Sequence, residues 1–272
     1  MDDPVRPARP RALSIAGSDS GGGAGIQADL KTFSALGVFG MTAITAVTIQ
    51  NTRGVSGYEA LPPQVVGDQI RAVVTDIGVD AAKTGMLASA EIVRAVADAV
   101  AETSIPNLVV DPVSVSKHGH RLLDEDAVSA LRERILPFAA LVTPNLPEAA
   151  ALAGFEVTAR DLMQDAAETI QAMGPGAALI KGGHLPGAGG ADDLFFDGDR
   201  MIWIAGELIE TTNTHGTGCT LSSAIAAYLA RGDDLLEAVR KGKAFVTEAI
   251  RAALPLGGGI GPVDQLWGID TG

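Results

Sequence analysis

Short apolar runs alternate with longer amphipathic stretches along most of the chain. The runs are rich in β-branched and aliphatic residues and predict strands at residues 13–16, 42–50, 81–84, 107–110, 141–143 and 178–181. Between and after these runs, apolar residues recur at helical spacing and predict helices at residues 26–36, 62–77, 89–100, 124 to about 135, 146–152, 161–173, 218–231 and 234–254. This alternation is typical of an α/β protein whose mainly parallel sheet carries helices on both faces.

Two further features complete the predicted architecture. Residues 194–196 and 201–204 flank a turn that contains Asp197 and Gly198, and they predict a late β-hairpin. Residues 1–10 are polar and rich in Pro and Arg, which predicts a disordered N-terminal tail. Because no linker divides the remainder, we expect residues 11–272 to form a single domain. Ser89 and Asp124 precede helices as N-cap candidates.

Composition narrows the possible partners. The 272 residues carry a net charge of −13, which argues against nucleic acid and anionic membranes, because both attract basic surfaces. An acidic protein that handles phosphates must use backbone amides, a few lysines and a metal ion. The single cysteine excludes an internal disulfide and fits a cytoplasmic location. The sequence contains no run of about 18 apolar residues, so it predicts no membrane-spanning helix.

A glycine-rich segment at residues 213–220 (NTHGTGCT) precedes an apolar helix. Gly216 and Gly218 let the backbone curl so that successive N–H groups point into one concavity, which attracts anions at a helix start. Thr214 and Thr217 add hydroxyl donors. We therefore predict a phosphate-handling centre here, with an ordinary helix cap as the alternative. Cys219 lies in the first helical turn, where the dipole favours the thiolate, although a lone cysteine is often a small buried apolar side chain.

A second glycine-rich loop, at residues 17–25, follows the first strand and opens a helix. Residues 23–28 fit the degenerate G-x-G-x-x-A pattern, which permits a dinucleotide-binding oxidoreductase. That class needs a carboxylate at the end of the next strand, where this chain has Gln50 and Asn51. Asp29, in the following helix, is either a surface charge or a carboxylate that faces a pocket. The amide of Gln50 can donate and accept, which suits the edge of a heterocycle.

Polar residues and glycines follow most of the predicted strands. In parallel sheets with helices on both faces, ligands bind beyond the carboxyl ends of the strands. The residues at these ends are Gly17, Gln50, Thr84 with Gly85, Asp111, Asn145 and Lys181. We therefore expect the binding pocket at this edge.

Taken together, these motifs resemble the hydroxymethylpyrimidine/phosphomethylpyrimidine kinases of bacterial thiamine biosynthesis, in the ribokinase-like superfamily. The resemblance runs from about residue 13 to residue 263. It rests on residues 16–19 (AGSD), 22–31 (GGAGIQADLK), 50–52 (QNT), 83–87 (KTGML), 111–113 (DPV), 143–149 (TPNLPEA), 181–184 (KGGH) and 213–219 (NTHGTGC). It implies a ribokinase-like three-layer α/β/α sandwich.

The resemblance implies two successive ATP-dependent phosphorylations in one site. The first converts 4-amino-5-hydroxymethyl-2-methylpyrimidine to its monophosphate, and the second makes the diphosphate. The positions that match the family's pyrimidine pocket are Gly17, Asp29, Gln50, Met86 and Val113. It also implies a cytoplasmic enzyme that is often a homodimer.

The remaining matched positions concern phosphate, metal and catalysis. The resemblance places ATP and its phosphates against Asn145, Lys181, Thr214, Thr217 and Gly218. It implies that Asp111 and Glu148 hold Mg²⁺, mostly through water, an arrangement that suits this ion. Cys219 stands where most of the superfamily has Asp, and the implied role is base or orienter for the acceptor hydroxyl. Gly216, Gly218 and Lys181 complete the implied catalytic set.

Two segments depart from the family pattern. The first loop reads SDSGGG and lacks the usual proline, which makes it more flexible. Residues 113–120 read VSVSKHGH, with Ser114 where the family has Met, and this segment could line the pocket and alter the substrate preference. His118 and His120 are better interpreted as solvated loop residues than as a metal pair. Two alternatives stay open: a pyridoxal or pyridoxine kinase of the same superfamily, and a non-catalytic ligand-binding protein.

Overall fold

The computed structural model describes residues 9–113, 125–183, 185 and 190–269. The strands within this part of the chain are β1 (Arg11–Ala16), β2 (Phe39–Ile44), β3 (Ala46–Asn51), β4 (Gly54–Ala60), β5 (Ala81–Thr84), β6 (Leu108–Val110), β7 (Ala139–Val142), β8 (Ala178–Lys181), β9 (Asp193–Phe196) and β10 (Met201–Ile204). The helices are α1 (Gly25–Ala35), α2 (Pro63–Asp76), α3 (Ala90–Thr103), α4 (Glu125–Ala130), α5 (Leu146–Ala153), α6 (Arg160–Gln171), α7 (Thr217–Ala230) and α8 (Leu235–Arg251). A π-helical turn (Leu131–Ile135) and a 3₁₀ turn (Leu136–Phe138) follow α4.

The main sheet has eight strands in the order β10-β9-β8-β7-β6-β5-β1-β2. Within this sheet, the six strands β2, β1, β5, β6, β7 and β8 pair in parallel, each with the next. Strands β9 and β10 pair antiparallel at one edge, which confirms the late hairpin. Strands β3 and β4 form a separate antiparallel hairpin.

Two apolar cores lie on opposite faces of the main sheet. Alternation along β1 shows how the sequence builds both, because Leu13 and Ile15 enter one core and Ala12 enters the other. The larger core contains apolar residues of α2 to α6, and the smaller contains those of α1, α7 and α8. The structure therefore confirms the α/β/α arrangement expected from the sequence.

The prediction of one continuous strand at residues 42–50 is wrong, because the chain forms two strands there, β2 and β3. Thr45 separates them: its N–H donates to Ala16 O at 3.1 Å, and its Oγ1 donates to Met86 O at 2.6 Å. These contacts turn the chain out of the main sheet and into the β3–β4 hairpin. The apolar run continues through the turn, so the pattern alone predicted one long strand and missed β4.

Helix starts agree with the capping chemistry of the sequence. Ser89 caps α3 by accepting the N–H of Ile92, as predicted. The other predicted cap, Asp124, lies outside the described residues, as does most of the predicted disordered tail. Pro10, which is described, accepts the N–H of Phe39 at 2.7 Å.

In the described ranges, no helix combines the length and the apolar composition needed to cross a membrane.

Candidate active site

The segments that follow the parallel strands lie side by side at one edge of the sheet. Each is fixed to its neighbour by a backbone hydrogen bond: Gly85 N–H donates to Ile15 O, Asp111 N–H to Thr84 O, Thr143 N–H to Val110 O and Lys181 N–H to Pro144 O, at 2.8 to 3.1 Å. These bonds hold the side chains of Asp111, Asn145 and Lys181 at a common edge. The start of α7 packs over this edge, where a Cβ added to Gly218 would lie 3.5 Å from Lys181 Nζ and 3.6 Å from Asp111 Oδ2.

The glycine-rich turn before α7 has the backbone of an anion nest. Gly216 has a φ of +83°, and a Cβ there would lie 1.8 Å from Gly23 O, so only glycine fits. The N–H of Thr220 donates to Gly216 O at 2.9 Å, which begins the helix. For the N–H groups of Gly218 and Cys219, the described part of the protein provides no acceptor. Both therefore remain for an anion at the helix N-terminus.

Lys181 supplies the positive charge beside this nest. Its Nζ lies 3.0 Å from Asp111 Oδ1 and 3.8 Å from Glu148 Oε2. Burial opposes the charge, but the two carboxylates outweigh it and raise the pKa of Lys181 above its usual value. Lys181 is therefore protonated throughout the neutral range.

Glu148 is held in place by the start of α5. Asn145 caps this helix by accepting the Glu148 N–H at 2.9 Å, and Glu148 Oε2 accepts the Asn145 N–H at 2.8 Å. This reciprocal capping box orients a buried carboxylate toward Lys181.

The donor set beside Lys181 fits a magnesium ion. The described ranges contain no group of three or more His, Cys, Asp or Glu side chains placed to hold a metal. Asp111 and Glu148 nevertheless bring two carboxylates to the same ammonium group. Mg²⁺ often takes only one or two carboxylates and completes its shell with water and phosphate oxygens. The residues present therefore suit an ion held mainly through water and nucleotide.

The environment of Cys219 corrects one expectation. Burial, reinforced by the nearby Asp29 and Asp111 carboxylates, raises the pKa of the thiol to about 11, although Lys83 and the Gly25 N–H act in the opposite direction. The expectation that the helix start stabilises a thiolate is therefore wrong for the protein without ligands. The dipole is present, but desolvation outweighs it, and the thiol is neutral at physiological pH.

Asp29 lies inside the protein instead of at a pocket surface. Its carboxylate accepts two hydrogen bonds from Lys83 Nζ, at 2.9 and 3.0 Å, and one each from the hydroxyls of Ser14 and Ser223, at 2.5 and 2.6 Å. Asp29 and Lys83 are both 0% exposed. Without a ligand, every partner of this carboxylate is internal, and the expected substrate contact stays a prediction. The buried Asp29–Lys83 pair therefore lies beneath the site and supports it.

The other predicted substrate positions lie in three places, which are Gly17 beside Met86, Val113 after Asp111, and Gln50 in β3. Gly17 donates its N–H to Met86 O at 3.2 Å, and a Cβ added to Gly17 would lie 3.4 Å from Met86 Sδ. Val113, half-buried, follows Asp111 and donates its N–H to the carbonyl of that residue. Gln50 belongs to β3, and its main chain is held against the first glycine loop. The Ser20 hydroxyl accepts the Gln50 N–H and donates to the Gln50 carbonyl.

Two residues that the sequence interpretation missed connect these segments. Asp19 accepts the N–H groups of Gly21, Gly23 and Ala24 at 2.8 to 2.9 Å, and it lies 2.8 Å from His215 Nε2. Burial opposes its ionisation, but His215 and the backbone amides outweigh it and hold the pKa of Asp19 below its usual value. An Asp placed two residues before a run of glycines is a signal for this kind of turn. No local pattern indicates the contact with His215.

Comparison with known proteins identifies the family. The family model described as "Phosphomethylpyrimidine kinase" matches residues 19–264, which is most of the chain. The chain belongs to this family. A relative from Streptomyces coelicolor, the hydroxymethylpyrimidine/phosphomethylpyrimidine kinase, is 54% identical over 98% of this chain and 97% of its own length. The expected family and the expected class of enzyme, a phosphotransferase, are both confirmed.

Solved structures agree with the fold. The ADP complex of Bacillus subtilis pyridoxal kinase has a TM-score of 0.89 and 40% identity, covering 95% of this chain and 98% of that one. The phosphomethylpyrimidine kinase of Clostridium difficile 630 has a TM-score of 0.79 and 44% identity, covering 88% of this chain and 99% of that one. Phosphomethylpyrimidine kinases and their neighbours thus share the ribokinase-like α/β/α fold found here.

Within this phosphomethylpyrimidine kinase fold, most predicted site residues are brought together. Asp111, Asn145, Glu148, Lys181 and the 213–220 turn meet at one edge of the sheet. Thr214 and Thr217 belong to that turn, where Thr217 Oγ1 donates to Thr214 O at 2.8 Å. The segment that departs from the family pattern, residues 114–120 with His118 and His120, lies outside the described residues.

Proposed function

We propose that this protein phosphorylates 4-amino-5-hydroxymethyl-2-methylpyrimidine with ATP, first to the monophosphate and then to the diphosphate, for thiamine diphosphate biosynthesis. One observation carries the proposal: the N–H groups of Gly218 and Cys219 lack acceptors in the described ranges and lie beside the Lys181–Asp111 pair. This arrangement suits a phosphoryl group in transfer, whose charge needs donors already in place. The names of the close relatives and the ADP in the Bacillus subtilis structure support the substrate and the nucleotide.

Each group in the site has a chemical task. The two free N–H groups and the Lys181 ammonium stabilise the charge on the transferred phosphoryl oxygens. Cys219, whose thiol is neutral at rest, orients the acceptor hydroxyl by a hydrogen bond. The hydroxyl loses its proton late, as a loose transition state allows, and the proton passes to an oxygen of the transferred phosphoryl group. Asp111 and Glu148 would hold Mg²⁺. When bound, this ion neutralises charge on the nucleotide phosphates.

The magnesium proposal has its own test. Replacement of Glu148 by Gln removes one charge but keeps an acceptor for the Asn145 N–H. We expect the rate to saturate at a higher Mg²⁺ concentration, while the melting temperature changes little. A magnesium titration of the rate identical to that of the parent would refute the role.

A second candidate function is phosphorylation of pyridoxal, whose ring also carries a hydroxymethyl group. The high structural similarity to Bacillus subtilis pyridoxal kinase favours it. A third class, a non-catalytic ligand-binding protein, conflicts with the assembled donors at the start of α7. Family membership and the named relatives favour the pyrimidine.

A coupled ADP-release assay separates these functions. We expect turnover with hydroxymethylpyrimidine and with its monophosphate, and mass spectrometry should detect the diphosphate as the final product. Turnover of pyridoxal alone would support the second candidate. Absence of ADP release with all three compounds would exclude both kinase functions.

We also propose a cytoplasmic homodimer. The presence of a single cysteine, which cannot form an internal disulfide, supports the location. Val47 and Ile49 of β3 are 50% and 66% exposed on one side of the β3–β4 hairpin, which supports a protein contact there. Light scattering should give twice the 27.7 kDa of one chain. A mass of one chain at micromolar concentration would exclude the dimer.

A further inference from the structure

His215 joins the anion nest to the predicted substrate pocket. It is 6% exposed, and its main chain is fixed by a hydrogen bond from its N–H to Gly261 O and another from Val263 N–H to its carbonyl, both at 3.0 Å. Its Nε2 lies 2.8 Å from Asp19 Oδ2 and 3.4 Å from Gln50 Nε2. One imidazole nitrogen therefore faces both a carboxylate and the amide expected to contact substrate.

The partners of Asp19 determine where the imidazole proton lies. Three backbone N–H groups, from Gly21, Gly23 and Ala24, donate to this carboxylate. Such bonds stabilise the ionised form. A carboxylate can only accept, so the hydrogen between Asp19 and His215 belongs to Nε2. The Nδ1 atom is buried and has no partner among the described residues, so a proton there would lack an acceptor.

This tautomer conflicts with the placement of the Gln50 amide. With a hydrogen on Nε2, the Nε2 groups of His215 and Gln50 are two donors that face each other. Oxygen and nitrogen of an amide occupy nearly equal positions, and only hydrogen bonding distinguishes them. A 180° rotation of the Gln50 amide places Oε1 opposite the imidazole as a second acceptor.

We propose that His215, anchored by Asp19, is a positioning residue that holds Gln50 with Oε1 toward the imidazole and NH₂ toward the substrate. This inference rests on the proposed function. A 4-aminopyrimidine presents a bare ring nitrogen beside an amino group, and the orientation proposed for Gln50 donates to that nitrogen. The 4-oxo analogue, in its lactam form, presents a ring N–H at the same place and is opposed by the same NH₂ group. His215 therefore sets the preference for amino over oxo substrates.

Kinetics with this pair of substrates test the proposal. For the parent enzyme we expect kcat/KM to favour the 4-amino compound over its 4-oxo analogue by about tenfold or more, because mismatched donors stay unsatisfied. In His215→Leu the Gln50 amide is free to rotate, so the ratio should fall several-fold, mainly through KM. His215→Gln keeps an N–H donor of similar reach and should retain more of the ratio.

A double-variant comparison shows whether His215 acts through Gln50. Gln50→Ala should lower the ratio as His215→Leu does, and the double variant should lower it no further. Equal loss of kcat on both substrates, with an unchanged ratio, would mean a purely structural role and overturn the proposal. Failure of the proposed function looks different, because the parent would then turn over neither pyrimidine.

The tautomer provides a test that needs neither turnover nor a variant that folds. We expect ¹⁵N NMR of the intact protein to show the His215 imidazole with its hydrogen on Nε2. The resonances are assigned by their loss in His215→Gln where that variant folds, and otherwise by their coupling to the His215 backbone. A hydrogen on Nδ1 with a bare Nε2 would overturn the inference whatever the substrate.

Discussion

At the scale of single residues, the start of α7 combines two opposing requirements. The helix start must leave N–H groups unpaired to receive an anion, and it must bring a thiol to the same place. The anion site needs the first glycine loop close by, and that closeness also desolvates Cys219. As a result of this packing, the Cys219 thiol ionises less readily than a thiol in water.

The thiol can be titrated directly, because Cys219 is the sole cysteine. Its pKa is raised from 9.0 to about 11, so the thiolate is scarce at pH 8 and grows only as the pH approaches 11. We expect the thiolate absorbance near 240 nm to rise over that alkaline range in the ligand-free protein. Cys219→Ser supplies the background from tyrosines. A midpoint at or below pH 9 would contradict the burial argument.

Gly216 offers a second residue-scale prediction. Gly216→Ala adds a Cβ within 1.8 Å of Gly23 O at a φ of +83°, so the two glycine loops must separate. Gly232→Ala is the matched control, because its φ of +91° carries similar strain while nothing lies within 4 Å of the added atom. We expect Gly216→Ala to cost at least about 2 kcal/mol more in urea unfolding and to lose most activity. Equal costs would show that the loops are not in tight contact.

At the scale of elements, local pattern predicted most helices and strands but not their partners. The late hairpin was predictable because Asp197 and Gly198 separate two apolar runs. The turn at Thr45 was not, since it depends on Ala16 and Met86, which lie far away in the chain. The contacts of Lys83 and His215 could not be predicted from local pattern for the same reason, because their partners are distant in the sequence. Lys83 bonds a residue 54 positions away, and His215 bonds one 196 positions away.

A signal for the buried pair was nevertheless present. Lys83 interrupts the apolar strand β5, and a lysine buried there needs a carboxylate. The pair also joins elements, since Asp29 of α1 binds Lys83 of β5, Ser14 of β1 and Ser223 of α7. The sequence thus indicated that a partner exists, and only the fold identifies it.

Breaking this pair should destabilise several elements together. Lys83→Met leaves the Asp29 charge buried without its cation, and we expect a loss of about 3–5 kcal/mol in urea unfolding. Adding Asp29→Asn to that variant should restore part of the loss, because the buried charge is removed, the amide oxygen can accept from one serine hydroxyl, and the amide NH₂ can donate to the other. Arg134→Met breaks an ion pair whose partners are about half exposed and should cost no more than about 1 kcal/mol. Similar losses in Lys83→Met and Arg134→Met would argue against the buried network.

At the scale of the whole molecule, residues far apart in the chain meet beneath the site. Pro262 pairs with His215 as an isolated bridge, and the Val263 N–H donates to the His215 carbonyl. Gln265 is buried, and its Nε2 donates to Gly23 O at 3.3 Å and to Thr220 Oγ1 at 3.2 Å. One amide therefore connects the first glycine loop to the anion nest. Sequence reasoning gave no role to this segment, whose pattern is neither helical nor extended.

Truncation tests this connection. A chain that ends at residue 261 loses the bridge to His215, both Gln265 contacts and the ring contact between Phe245 and Trp267. We expect it to lose about 3 kcal/mol or more of unfolding free energy and nearly all activity. A chain that ends at Trp267 keeps all of these contacts and should behave like the parent. Full activity in the shorter chain would show that the segment is dispensable.

The contact between Gln265 and Gly23 also has a consequence for biosynthesis. The two residues are separated by 242 positions, so the first glycine loop is translated long before its support exists. We therefore expect the nest to stay incomplete on the ribosome until residue 265 has left the exit tunnel, so that the nascent chain lacks kinase activity until then. A partner fused to the C-terminal side must leave residues 262–267 free to dock, so its linker should begin after Trp267.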